Sequence, residues 1–280
     1  GHQAGSLLRV DDAGEADAVD HTMMAAPYAL SPEDPHVVLL GETGGSNVWL
    51  AKRHDARAID VAQPNGRLIE LIRSELTGEG GHVWRHADVA TVTPRLFVEQ
   101  TGEAADLIQI VSLESLAVGG VGMGGLAEDH LLTVQGLTRC LERLSDDGLL
   151  AGCRGIQQPA RDNVKFLATL AAALRSRGVQ SPADHVVIVR DFLAVCTMVK
   201  PTPWTPAQID DVRAMIDDRQ LTPVWYPGIT TEELNRPDEL PGPEGEPGDW
   251  YYHAARELLS AAGDPEAFIE GWTFDIRPPT

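Results

Sequence analysis

The chain has 280 residues, and 42 acidic against 22 basic ones give it a formal charge of −20. That length can bury a sizeable core as one large domain or a domain with an appendage, and the charge argues against binding nucleic acid or an anionic membrane surface. Cys140, Cys153 and Cys196 stand far apart among apolar neighbours and read as buried thiols of a reducing compartment, not as a disulfide frame or a metal site.

Residues 1–35 hold a short strand candidate at 6–10, an acidic turn, and a Met-rich short helix at 21–27. Val37-Val38-Leu39-Leu40 then reads as a strand buried on both faces. It runs into the turn Gly41-Glu42-Thr43-Gly44-Gly45 and a helix from Asn47 to Arg53. Strand, glycine turn and helix open an α/β nucleotide-binding unit, in which the helix N-terminus faces the ligand. Further strands are expected at 57–62, 89–92 and 106–111, with helices at 66–76 and 94–100. A glycine-dense loop spans 119–125, and a helix at 128–144 carries a Leu/Val stripe. A strand at 149–153, a helix at 162–175 and two closing strands at 185–190 and 194–199 follow. The alternation from 37 to 199 argues for a doubly wound, largely parallel sheet. Beyond it lie a helix at 206–217 capped by Thr205, the segment Thr222-Pro223-Val224-Trp225-Tyr226, an exposed loop at 236–249 and a last helix near 249–262. No apolar run approaches the roughly 18 residues of a membrane span, and no signal peptide is evident. A cytoplasmic location is expected, with no direct membrane insertion of this chain. Gly1-His2 reads as a cloning remnant, so the chain is expected to be a soluble piece of something longer.

The order of these motifs resembles the spermidine synthase-like group of polyamine aminopropyltransferases, in particular a bacterial branch often fused to membrane segments. The matching pieces are residues 37–47, His54-Asp55-Ala56-Arg57, Asp106-Leu107-Ile108-Gln109, residues 128–133, residues 222–228 and the tail Phe274-Asp275-Ile276-Arg277-Pro278. His21-Thr22-Met23-Met24 is similar to the helix before the first strand in that group. The resemblance implies a Rossmann-like, seven-stranded sheet of the class I S-adenosylmethionine (SAM)-methyltransferase fold. Residues 1–35 would be an N-terminal segment, 36–200 the core and 201–280 a C-terminal helical appendage. It also implies a homodimer as one reading, and membrane anchoring through segments outside this chain.

In that group a donor such as SAM, decarboxylated SAM or a relative such as methylthioadenosine lies across the carboxyl ends of the strands. The resemblance places it against Gly41, Glu42, Thr43, Gly44, Gly45, Gln63 and Thr93. Thr43 stands where a glycine is wanted, Gln63 where an acid should hold the ribose, and Thr93 where an acid should read the adenine. Val111 replaces the aspartate that deprotonates or orients the attacking amine and can do neither job. Asp60 is an alternative ribose acid only if its strand ends three residues early. Otherwise it is a polar residue on an apolar strand.

Two residues are left as catalytic candidates. Glu114 matches a second acid of the group's loop and would hold an ammonium group, its plain alternative being a solvated loop glutamate. His130, a residue type suited to proton transfer, would serve as a base, or else as a capping or surface residue. His82 and His86, with Asp88 near, have no helix to set metal-ligand geometry, and no metal is expected. Trp225, Tyr226, Trp250, Tyr251 and Tyr252 read as packing before they read as a cage for an amine.

Two functional expectations follow. The first is a spermidine synthase-like domain with a degenerate nucleoside site, non-catalytic, binding a ligand or partner and with no obligatory cofactor. The second is an active aminopropyl- or methyltransferase with a SAM-type donor and a small cationic amine acceptor. There Glu114 and His130 would replace the missing groups.

Overall fold

A computed structural model of the chain describes residues 10, 12–100, 102–111 and 130–280. The chain divides into two compact units, one of residues 1–131 and 143–152 and one of 132–142 and 153–280.

The first unit opens with α1 (Asp17–Asp20) and a 3-10 helix, Met23–Leu30. It continues through β1 (His36–Leu40), α2 (Ser46–Arg53), β2 (Ala58–Ala62) and α3 (Gly66–Glu75). Two 3-10 segments, Thr77–Glu79 and Gly81–His86, lead to β3 (Asp88–Ala90), α4 (Pro94–Glu99), β4 (Ala105–Ile110) and most of β5 (Leu144–Gly155). The strands lie in the order β3-β2-β1-β4-β5, and every pair is parallel. All five residues of β1 are buried, as its unbroken aliphatic run demands of a central parallel strand. The chain moves outward from β1 through β2 to β3, then returns to the other side of β1 with β4. That reversal leaves a crevice at the carboxyl ends of β1 and β4, where sheets of this kind receive ligands.

At the opposite, amino end the same strands are tied by polar side chains. Buried His36 meets Asp60 through Nε2 at 2.9 Å, and its backbone N–H donates to Asp106 Oδ2 at 2.9 Å. Asp106 also accepts from Arg57 Nη1 at 3.1 Å and from Ser145 Oγ at 2.9 Å. The hydrogen bond to Asp60 holds His36 above the ordinary imidazole range, against the opposing effect of burial.

The second unit contains α5 (Val134–Glu142), residues 153–155 of β5, α6 (Asp162–Ser176), β6 (Val186–Arg190) and β7 (Ala194–Val199). Then come α7 (Pro206–Arg219), β8 (Thr222–Trp225), α8 (Trp250–Leu259) and α9 (Pro265–Gly271). Here the order is β5-β7-β6-β8, with β6 antiparallel to both β7 and β8. The β6–β7 tip exposes Phe192 and Leu193, 70% each. Asp191 Oδ1 stiffens that tip by accepting from the N–H groups of Leu193 and Ala194, both at 2.6 Å.

Strand order and the reversed closing hairpin are those of the class I methyltransferase fold, and the sheet has one strand beyond the seven expected. The extra one, β8, contains Pro223, which has no N–H to give a ladder. It pairs at the sheet edge with a register shift beside Ile188 and Val189, where proline is tolerated. The helix expected at 128–144 is instead a 3-10 turn, His130–Leu132, followed by α5. Thr133 sets that start by accepting the Gly136 N–H on its hydroxyl at 3.1 Å, the usual office of an N-cap threonine. Residues 6–9, the glycine-dense loop at 119–125 and residues 128–129 lie outside the described residues. Asp249 caps α8 from the Tyr252 N–H at 2.8 Å and accepts Arg190 Nε at 2.7 Å. Both partners of this ion pair are buried, and Arg190 Nη2 donates to Asn235 Oδ1 at 2.6 Å.

Candidate functional site: the glycine turn

The turn after β1 needs two glycines in the left-handed region, Gly41 at φ +89° and Gly45 at φ +84°. Gly41 N–H still reaches the Ala62 carbonyl of β2 at 2.9 Å. Gly45 stands just before α2, so the turn aims several backbone N–H groups at one point. Such a convergence favours an anion.

That anion is supplied from within. Glu42 is only 2% exposed. Its Oε1 accepts from the N–H groups of Thr43 at 2.8 Å and Gly45 at 2.7 Å. Its Oε2 accepts from the Asn47 N–H at 3.3 Å and from the Asn47 side-chain amide at 2.5 Å. Four donors thus converge on one carboxylate, which complements the positive end of α2.

Gln63, also 2% exposed, faces the same knot. Its Nε2 donates to the Glu42 carbonyl at 2.9 Å, and its Oε1 accepts from Asn65 N–H at 3.0 Å. The side chain expected beneath a ribose braces the turn instead. Asn65 in turn caps α3 by accepting from Leu68 N–H at 3.1 Å.

The outer side of the turn is packed by protein. A Cβ on Gly45 would lie 2.4 Å from Val83 Cγ1 and 3.5 Å from Trp84 Nε1, so the glycine is needed for the approach of this 3-10 segment. Val83 and Trp84 are buried, as is Trp49 of α2. His82 and His86 flank the Trp49 ring at centroid distances of 5.5 and 5.6 Å. Burial, followed by the nearby positive charge of Arg85 and Lys52, lowers His86 below the usual histidine range. The two histidines that stood four apart in the sequence are neighbours of a tryptophan.

The remaining expected residues have other engagements. Thr93 is exposed and caps α4, its Oγ1 accepting from Leu96 N–H at 3.3 Å. Val111 continues the β4 ladder through its N–H to the Leu40 carbonyl at 2.9 Å. Asp60 is held by His36. His130 is exposed, and its carbonyl accepts from Arg95 Nη1 at 3.5 Å. Glu114 lies outside the described residues. Gly41 through Gly45 and Gln63 therefore come together, while Thr93 serves its own helix.

Several partners had only faint sequence signals. Asn47 looked like an ordinary helix residue. Gln109 was the one polar residue in the run Leu107-Ile108-Gln109-Ile110, and it is fully buried. It accepts from Tyr28 Oη at 3.1 Å and donates to the Met24 carbonyl at 2.7 Å. Burial first, and then the charge of Glu42, push the Tyr28 phenol far above its ordinary value. Its ring stacks on His54 at 4.7 Å.

A SAM-type donor needs acceptors for its ribose hydroxyls and adenine amino group, and open backbone donors at the turn. At this turn the N–H groups of Thr43, Gly45 and Asn47 donate to Glu42, and both ends of the Gln63 amide have partners within the protein. Two concavities among the described residues lie away from the turn. One is lined by Asn163, Ile188, Thr197 and Tyr251, the other by Asp20, Lys52, Arg53 and Asp55 among others.

No protein-family model matches the chain, and no curated protein sequence does. Among solved structures it is similar to spermidine synthase from Thermotoga maritima, with 19% identity and a TM-score of 0.47 over 69% of this chain and 62% of that one. A probable spermidine synthase from Corynebacterium glutamicum shares 13% identity at a TM-score of 0.48, covering 89% and 76% of the two chains. Human methyltransferase-like protein 13, in complex with SAH, shares 13% at a TM-score of 0.46, over 71% and 90%. The chain spans 62% of the length of the Thermotoga maritima protein. The fold assignment stands on the strand order itself.

Proposed function

We propose that this chain is a non-catalytic derivative of the spermidine synthase-like fold, its nucleoside site closed from within, that works by binding a partner and not by group transfer. The observation that carries the reading is the Glu42 carboxylate, which takes the N–H groups of Thr43, Gly45 and Asn47 with its own side chain. Gln63 and Thr93 support it, since each spends on local structure the capacity a donor would need. Val111 removes the group that would orient an amine. On this reading neither aminopropyl nor methyl transfer takes place at the carboxyl ends of β1, β2 and β4.

Calorimetry of the purified chain against SAM, decarboxylated SAM and methylthioadenosine tests it, together with a putrescine turnover assay. The expected result is no heat, no thermal shift and no spermidine. Saturable binding of any of the three donors at micromolar concentration, or turnover of putrescine, overturns the proposal in favour of an active transferase.

A further inference from the structure

α9 has seven residues and none of them is buried, although Phe268 and Ile269 are among them. A helix this short does not hold itself in water. Asp264 caps it from the Ala267 N–H at 3.0 Å, and aromatic contacts do the rest. Phe268 lies 4.9 Å from Trp272 and 5.9 Å from His253, between ring centroids. Trp250 of α8 lies 5.6 Å from Trp272 and 5.8 Å from His253. All four rings are half-buried. At these spacings the rings touch one another and leave no gap for an ammonium group, so the cluster is a face and not a cage.

Arg256 touches the face through His253 at 3.2 Å, but the charged residues of α9 itself are all acidic. Residues 232–280 contain twelve acidic residues against three basic ones. Asp264, Glu266 and Glu270 are exposed. Two of the three cations are already engaged: Arg256 with Glu246 at 2.9 Å and Glu257 at 3.1 Å, and Arg277 with Asp275 at 2.8 Å. Aromatic side chains half open to water beside the exposed carboxylates of Glu266 and Glu270 are what a basic, amphipathic helix complements.

We infer that the α8–α9 face docks a Lys/Arg-rich amphipathic segment of another protein. The segment's apolar side lies against Trp250, Phe268, Ile269 and Trp272, and its cations face Glu266 and Glu270. A second copy of the chain is the poorer occupant, because it would bring one acidic rim against another with each chain at −20. The inference rests on the second unit alone and stands whether or not the glycine turn binds a nucleoside.

The test titrates the intact chain with a synthetic Leu/Lys amphipathic helix about four turns long, following tryptophan emission and heat. Oligolysine of equal charge and a Leu/Glu helix are run beside it. The Leu/Lys helix is expected to bind in the micromolar range and the other two at least about tenfold more weakly. Trp272→Ala and the double variant Glu266→Lys/Glu270→Lys should each weaken binding about tenfold. The double variant, confined to exposed positions, should keep the parent melting temperature. Phe192→Ser, at the exposed β6–β7 tip, should leave the affinity unchanged. No binding of the Leu/Lys helix, equal binding of oligolysine, or unaltered affinity in the charge variant overturns the inference. So does loss of binding in Phe192→Ser, or a dimer that Trp272→Ala abolishes.

Discussion

The two ends of the parallel sheet are both tied by polar side chains, but by different means. At the amino end His36 meets Asp60 side chain to side chain and Asp106 through its backbone N–H, Asp106 also takes Arg57 and Ser145, and Asp60 and Arg57 keep contact with water, with 29% and 43% of their side chains exposed. At the carboxyl end Glu42 and Gln63 are almost wholly buried, and most of their partners are backbone groups. The first network ties neighbouring strands together and responds to pH. The second fixes one turn in one conformation at the place where a fold of this kind keeps its ligand. On the proposed function, a carboxylate already on the chain stands there in place of a ligand.

The sharpest way to break this contrast is Glu42→Ala. It leaves the donors of Thr43, Gly45 and Asn47 without an acceptor in a buried turn, and should lower unfolding free energy by about 3–5 kcal/mol, read from urea midpoints. A loss under about 1 kcal/mol would mean that water answers those donors and the turn is open. Gly45→Ala comes next. It forces a side chain into a left-handed conformation and against Val83, for a loss of about 2–4 kcal/mol in the same measurement.

Gln63→Glu turns an acceptor toward the Glu42 carbonyl in place of a donor. We expect a loss of about 1–2 kcal/mol and still no heat with methylthioadenosine. A gain of nucleoside affinity would show that the residue faces the ligand after all.

The smallest effect belongs to the amino end. His36 is raised above its unfolded value by Asp60. Its contribution is therefore complete below the unfolded value, near about 6.5. It is lost as pH rises through the higher folded value. The His36→Asn variant should lack that slope when stability is followed across neutral pH, while the Glu42 variant should keep it.

Much of this arrangement could be read from residues alone. The aliphatic run of β1 calls for a strand buried on both faces, and the regular alternation of strands and helices makes that a parallel sheet. β8 was the exception: Pro223 weakens every local strand signal, and only the exposed edge of β6 makes a strand of it. At the turn, the absence of acids at Gln63, Thr93 and Val111 was legible. What replaced them was not, since a glutamate beside glycines looks the same whether it points to water or curls back. Glu42 curls back because Gly41 and Gly45 bend the chain around it, and Asn47 is one helical step away to close the grip. The amino-end network was hidden for the same reason. His36 and Asp60 are far apart in sequence and meet only through strand register.

The bonds that Gln109 makes to Tyr28 and Met24 span 81 and 85 residues of sequence. They make the leading 3-10 helix a clasp and not a dispensable tail. A shortened version of the chain that began after Leu30 would leave a fully buried amide near the carboxyl end of β4 with neither of these partners. The smallest soluble fragment of the first unit should therefore start ahead of Met23, however well the nucleotide-fold elements alone seem to define its border.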